Sequence, residues 1–134
     1  MPWRRAIAVW LVLIGGEMIH GIVRSIVLTP RVGDKPARQI GVFTGSLVNL
    51  GITHLFIEWI GARTVRARLV IGVVWVVLTM VFEVAFGRLV VKSSWERIRS
   101  DYDLPHGGLL PIGLVALAGS PLVASRLRGM DSRR

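Results

Sequence analysis

A chain of 134 residues is about one domain long, and with 52% of them hydrophobic and a mean hydropathy of +0.59 it is too apolar for a soluble domain of that size. A net charge of +9 and a pI near 11.7 would suit a nucleic-acid binder, but the 17 Lys and Arg fall in short clusters between apolar runs of membrane length, which argues against that partner. The chain has no Cys, which excludes disulfides, thiolate metal sites and cysteine nucleophiles.

Apolar stretches at 6–28, 40–60, 69–91 and 108–125 each approach the ~20 residues a helix needs to cross the hydrocarbon layer. With no water there to satisfy the backbone, each must be a helix, so the sequence predicts an all-α, four-helix transmembrane bundle in the lipid bilayer. The start, MPWRRAIAVWLVLIGG, imitates a signal peptide, yet it lacks a small-x-small cleavage site and runs on through Glu17, so it is read as a retained first helix. At 100° per residue Leu13, Glu17, His20, Gly21 and Arg24 share one face of it, a polar stripe in an apolar segment. The Pro and Gly-Asp residues of TPRVGDKPAR then mark a turn after Leu28.

In the second span Gly41, Gly45, Asn49 and Thr53 recur every four residues and give a face without large side chains, suited to close helix packing. His54 and Glu58 follow as i, i+4 neighbours. The basic link ARTVRAR leads to the third span, where Thr79, Glu83 and Gly87 share a face, while Arg88 points about 140° from Glu83 and is expected to snorkel outward. The connection SSWERIRSDYDLPHGG is either a short interfacial helix anchored by Trp95 or a solvated loop. Its Trp95, Asp101, Tyr102, Asp103 and His106 form a candidate surface for a partner or lipid headgroup. Asp101, Asp103 and His106 also invite an acid, base or metal reading that a capped turn explains equally well. The fourth span contains Pro111 and Pro121 and is expected to be kinked or short.

Nine Lys and Arg flank one side of this bundle and eight the other, of which Arg24 and Arg88 fall within membrane ends, leaving six. The positive-inside rule then places both termini in the cytoplasm of an inner-membrane protein, although so small a bias also permits dual insertion. An offset of 66 residues superposes Glu17 on Glu83, Gly21 on Gly87 and Gly41 on Gly107, as a 2+2 parallel repeat would.

If the first and third helices face each other, Glu17, His20, Arg24 and Glu83 form a buried cluster. An ionisable residue in a span needs a partner or water. Two readings follow: a relay for small-solute or ion transport, or ion pairs that only hold the helices of a non-transporting subunit or lipid- and partner-binding protein together. No Gly-rich phosphate loop, GxSxG or HExxH is present, so no catalytic residue, metal site or cofactor is assigned. A homodimer or a membrane-protein partner is compatible with both readings.

The run FEVAFGRLVVKSSWERIRSDYDLPHGG, with its FE-x-x-FG, SW and DY elements, resembles a set of small bacterial four-span membrane proteins, a resemblance that implies no activity. Glu17 stands where small multidrug transporters, similar in plan, carry a glutamate in the first helix, but their later signature is missing. GGEMIHGIVR and GSLVNLG resemble fluoride channels loosely, each off by one residue, so neither family's site is carried over.

Overall fold

A computed structural model describes residues 2–129; residues 130–134, which hold the end of the basic tail, lie outside the described residues. The chain is all-α, with no strand among the described residues. Four helices are long and apolar enough to cross a membrane: α1 (Trp3–Val32), α2 (Asp34–Ile60), α3 (Val65–Leu89) and α5 (Leu110–Leu127). The short α4 (Trp95–Tyr102) lies between the last two. The protein is a multi-pass membrane protein on this architecture. The end carrying Pro2, Gly129 and the turn at 61–64 is called the terminal end, and the opposite one the distal end.

The first span runs past the turn expected after Leu28. Its ladder widens to a π turn over Arg24–Leu28 and then continues through Thr29–Val32. Pro30 lacks an N–H and crowds the carbonyl four residues back, and a widened turn just before it relieves both problems without ending the helix. The break comes at Gly33, whose φ of +92° favours a residue without Cβ. Pro36 in turn sits in the first turn of α2, where its missing N–H has no intrahelical partner to lose. At the start of α3, the Thr64 hydroxyl accepts from the Ala67 N–H at 3.0 Å. Ser94 caps α4 the same way, accepting from the Arg97 N–H at 3.1 Å, so the connection contains the short helix rather than only a loop. Pro121 stands inside α5 without ending it, and at 18 residues α5 is the shortest of the four spans.

Around the bundle the neighbours run α1, α2, α5, α3, with α1 touching α3 only lightly. The closest approach joins α3 to α5. A Cβ on Gly72 would lie 1.9 Å from the Ala118 carbonyl oxygen, so only glycine fits there. The buried core gathers near the terminal end, from Ala6, Val9 and Leu13 of α1, Ile57 and Ile60 of α2, Ile71 and Trp75 of α3, and Leu117 and Ala124 of α5. Side chains such as Leu47, Val73, Leu89 and Val115 are exposed on the outside of the bundle, a surface for hydrocarbon rather than water.

Candidate functional site

The stripe on α1 and the small-residue face on α2 meet. A Cβ on Gly45 would come within 3.1 Å of Glu17 Oε1, and one on Gly41 within 3.0 Å of Arg24 Cδ and 3.5 Å of His20 Cε1. The two glycines therefore make room for charged side chains rather than for the backbone of an apolar neighbour. His20 Nε2 and the Thr44 hydroxyl, also on α2, lie 2.6 Å apart in a hydrogen bond. Glu83 reaches the same space from α3, together with Thr79 and Gly87.

These groups line a cavity of about 590 Å³ that occupies the distal half of the bundle. Glu17, His20, Arg24 and Glu83 are half-buried on its wall, not sealed in a dry interface as a buried cluster would be. Among the described residues no hydrogen bond or ion pair joins Glu17 or Glu83 to Arg24 or His20, so the pairs expected of helix-holding charges are not formed. Two residues of its wall, Asn49 and Tyr102, each carry a buried polar atom without a protein partner, Asn49 Oδ1 and the Tyr102 hydroxyl. An unpaired polar atom in such a place costs about 1–3 kcal/mol.

The distal end is capped by the connection between α3 and α5. Arg97 of α4 holds Asp34 with two hydrogen bonds, 2.7 and 3.1 Å. Arg38 bonds Asp34 at 3.0 Å and also Asp101. Gln39 Nε2 donates to the Gly107 carbonyl at 2.8 Å. The first two turns of α2 thus clasp the segment from 97 to 107. Arg88 turns away from Glu83, donates to the Ser93 carbonyl at 2.9 Å and lies over the Trp95 ring at 4.5 Å. The hydrogen bond to Asp34 raises the Arg97 pKa above its ordinary value. Burial first, and then the charges of Glu83 and Asp101, raise that of Tyr102. Asp101 is engaged with Arg38, whereas Asp103 pairs with His106 at 2.9 Å, so the acid, base and metal residues suspected in this segment are split between separate pairs. Among the described residues no group of three or more His, Asp or Glu could hold a metal ion.

Towards the terminal end the cavity stops. Thr79, on its floor, accepts from Trp10 Nε1 at 3.0 Å, and Leu117 closes in from α5. Below them lies the core, in which Thr53, Ser120 and Ser125 return their hydroxyls to carbonyls of their own helices. Trp75 Nε1 donates to the Ala6 carbonyl at 3.0 Å, and Arg5 both donates to the Trp59 carbonyl at 2.8 Å and lies over its ring. The cavity thus occupies the distal half of the bundle, and the terminal half is packed.

Several of these features escape a reading of the sequence. Arg68 looks like one more charge of the basic link, yet it is buried in the first turn of α3, with Nε donating to the Ala62 carbonyl at 3.1 Å. Glu58 pairs with Arg128 at 3.7 Å and not with His54, whose carbonyl accepts from Arg128 instead. Gln39, Arg38 and Arg97 carry no motif, and only the fold brings them to the mouth of the cavity. No family model matches the chain, and no curated protein or solved structure matches it either.

Proposed function

We propose that the protein binds a small charged solute or ion in this cavity and moves it across the bacterial inner membrane, with both termini in the cytoplasm and the cavity open to the opposite face. The observation that carries the reading is the set of four titratable side chains, Glu17, His20, Arg24 and Glu83, that share a cavity without pairing with one another. Charges within a span are costly and are kept where they face one another, water or a ligand. Side chains retained only to hold helices together would be found carboxylate against guanidinium. The competing reading, a non-transporting subunit with structural ion pairs, lacks that contact. A homodimer is compatible with transport, since the lipid-facing surfaces are apolar all round. The orientation rests on the basic residues alone, nine against six.

Glu17→Gln tests the reading. Gln keeps the volume and hydrogen-bonding ability and removes the charge. For a solute-binding carboxylate, the variant keeps its stability in detergent, while flux of cations or protons into liposomes falls to the level of protein-free vesicles. For a structural pair, the variant strands a buried cation and loses up to ~3 kcal/mol. Wild-type liposomes without flux for any ion or charged solute, together with a strongly destabilised variant, would sink the proposal.

A further inference from the structure

The polar cavity has an apolar side door. The contacts joining α1 to α3 are made near the terminal end, by Trp75 with Ala6 and by Trp10 with Thr79 and Phe82. Distal to Trp10 the cavity lies between the two helices. Met18 and Ile22 of α1 line it and are at the same time exposed to the surroundings of the bundle, at 42% and 58%, and the half-buried Phe82 and Phe86 flank it from α3. Residues that line a cavity and also face outward mark its mouth, and here that mouth faces hydrocarbon. A freely soluble ion gains nothing from such a door. A molecule with an apolar part does.

The interior selects the polar part. Two carboxylates, Glu17 and Glu83, are acceptors, which a primary ammonium satisfies with its N–H donors. Arg24 offers a planar fork of donors beside Gly41, one turn of α2, roughly 6 Å, distal to Gly45, where the Glu17 carboxylate lies, and suits a phosphate. At about 590 Å³ the space far exceeds the need of a bare ion and falls in the range of roughly 300–1,000 Å³ typical of sites for organic ligands.

Taking the cavity as the binding site proposed above, we infer that its ligand is a zwitterionic amphiphile of the aminophospholipid type. The ammonium sits between Glu17 and Glu83, the phosphate on Arg24, and the acyl chains leave between α1 and α3 into the bilayer. The headgroup chemistry is shared with soluble phosphoethanolamine, but the apolar door favours the lipid as its source.

The test titrates the purified protein in detergent with phosphatidylethanolamine, phosphatidylcholine, phosphatidylglycerol and soluble phosphoethanolamine, reading binding from the shift in thermal unfolding. Phosphatidylethanolamine is expected to bind about tenfold or more tightly than phosphatidylcholine, whose ammonium has no N–H, and than phosphatidylglycerol, which has no ammonium. Glu83→Gln should erase the preference. Ile22→Trp, which narrows the door without touching a charge, should weaken the lipid and leave phosphoethanolamine unchanged. Equal binding of the three lipids to the wild-type protein overturns the inference whether or not a variant folds, and so does phosphoethanolamine binding as tightly as the lipid. A lipid preference without movement of labelled phosphatidylethanolamine between leaflets of liposomes would keep this ligand and remove the transport function. Ion flux that depends on Glu17 without any lipid preference would do the reverse.

Discussion

Tyr102 is the single tyrosine of the chain, so its phenolate absorbance reports on one residue at the mouth of the cavity. Its hydroxyl is buried without a partner, and the nearby charges of Glu83 and Asp101 add to burial in resisting ionisation. The folded protein therefore favours the neutral phenol. The stability this confers is fully present below the ordinary value of 10.0 and is lost as the pH rises through the higher folded value. A spectroscopic pH titration of the folded protein should show a midpoint above 10.0, and Glu83→Gln should bring it down while leaving it raised by burial. A wild-type midpoint at or below the ordinary value would separate Tyr102 from Glu83 and open the cap that the Arg38 and Arg97 contacts describe. The stripe of Glu17, His20 and Arg24 was legible at this scale from helical spacing alone. Tyr102 could be suspected only as an interfacial aromatic, because nothing in DYD says that Asp101 beside it is tied to Arg38, 63 positions away on α2.

At the level of helices, length and hydropathy fix the number of spans, and small residues fix where they meet, but the two kinds of small residue act differently. Gly72 faces backbone: an added Cβ would lie 1.9 Å from the Ala118 carbonyl oxygen, and α3 and α5 must separate to admit it. Gly45 faces the end of a flexible side chain, Glu17 Oε1 at 3.1 Å, which can move. Gly72→Ala is thus expected to destabilise by about 1–3 kcal/mol or more, the cost of overpacking. Gly45→Ala should be close to neutral, because alanine also gains up to about 1 kcal/mol of helix propensity. Unfolding of the two variants in detergent decides the matter, and equal losses would mean that α2 and α3 use their glycines alike. The periodicity of Gly41, Gly45 and Asn49 predicted a packing face, which the structure fills with the charged stripe of α1. Gly72 was invisible, since a lone glycine in an apolar run gives no spacing to read. The helices run further than their prolines suggest where proline lies in a first turn or follows a widened one, positions at which it does not stop a helix.

In the molecule as a whole the polar residues are legible one face at a time, but their division between a distal half that holds a cavity and a packed terminal half is not, because it depends on which helix faces which. Glu17 and Glu83 can be placed on helix faces from spacing, whereas the order α1, α2, α5, α3 and the plug of Leu117, Trp75 and Ile57 come only from packing. That plug makes the cavity one-sided, and the chain offers a clean way to check it, since it has no Cys to interfere. Ser46 lines the cavity on α2, and Ser125 is fully buried in the terminal half of α5. In Ser46→Cys, a membrane-impermeant thiol reagent should label position 46 in right-side-out vesicles and not in inverted ones, because the distal end is the outer face if the basic residues hold the termini inside. Position 125, in Ser125→Cys, should resist from both sides. Labelling of position 46 only in inverted vesicles would reverse the orientation. Labelling from both sides, in a population whose residue 134 a fusion reporter places wholly inside, would replace the one-sided cavity by a continuous path. Addition of phosphatidylethanolamine should slow labelling at position 46, since the headgroup and the thiol reagent compete for one space. Transport in such a molecule requires the Trp10 and Thr79 contact to open towards the terminal end while outer access to the cavity falls, so a condition that exposes position 125 should protect position 46.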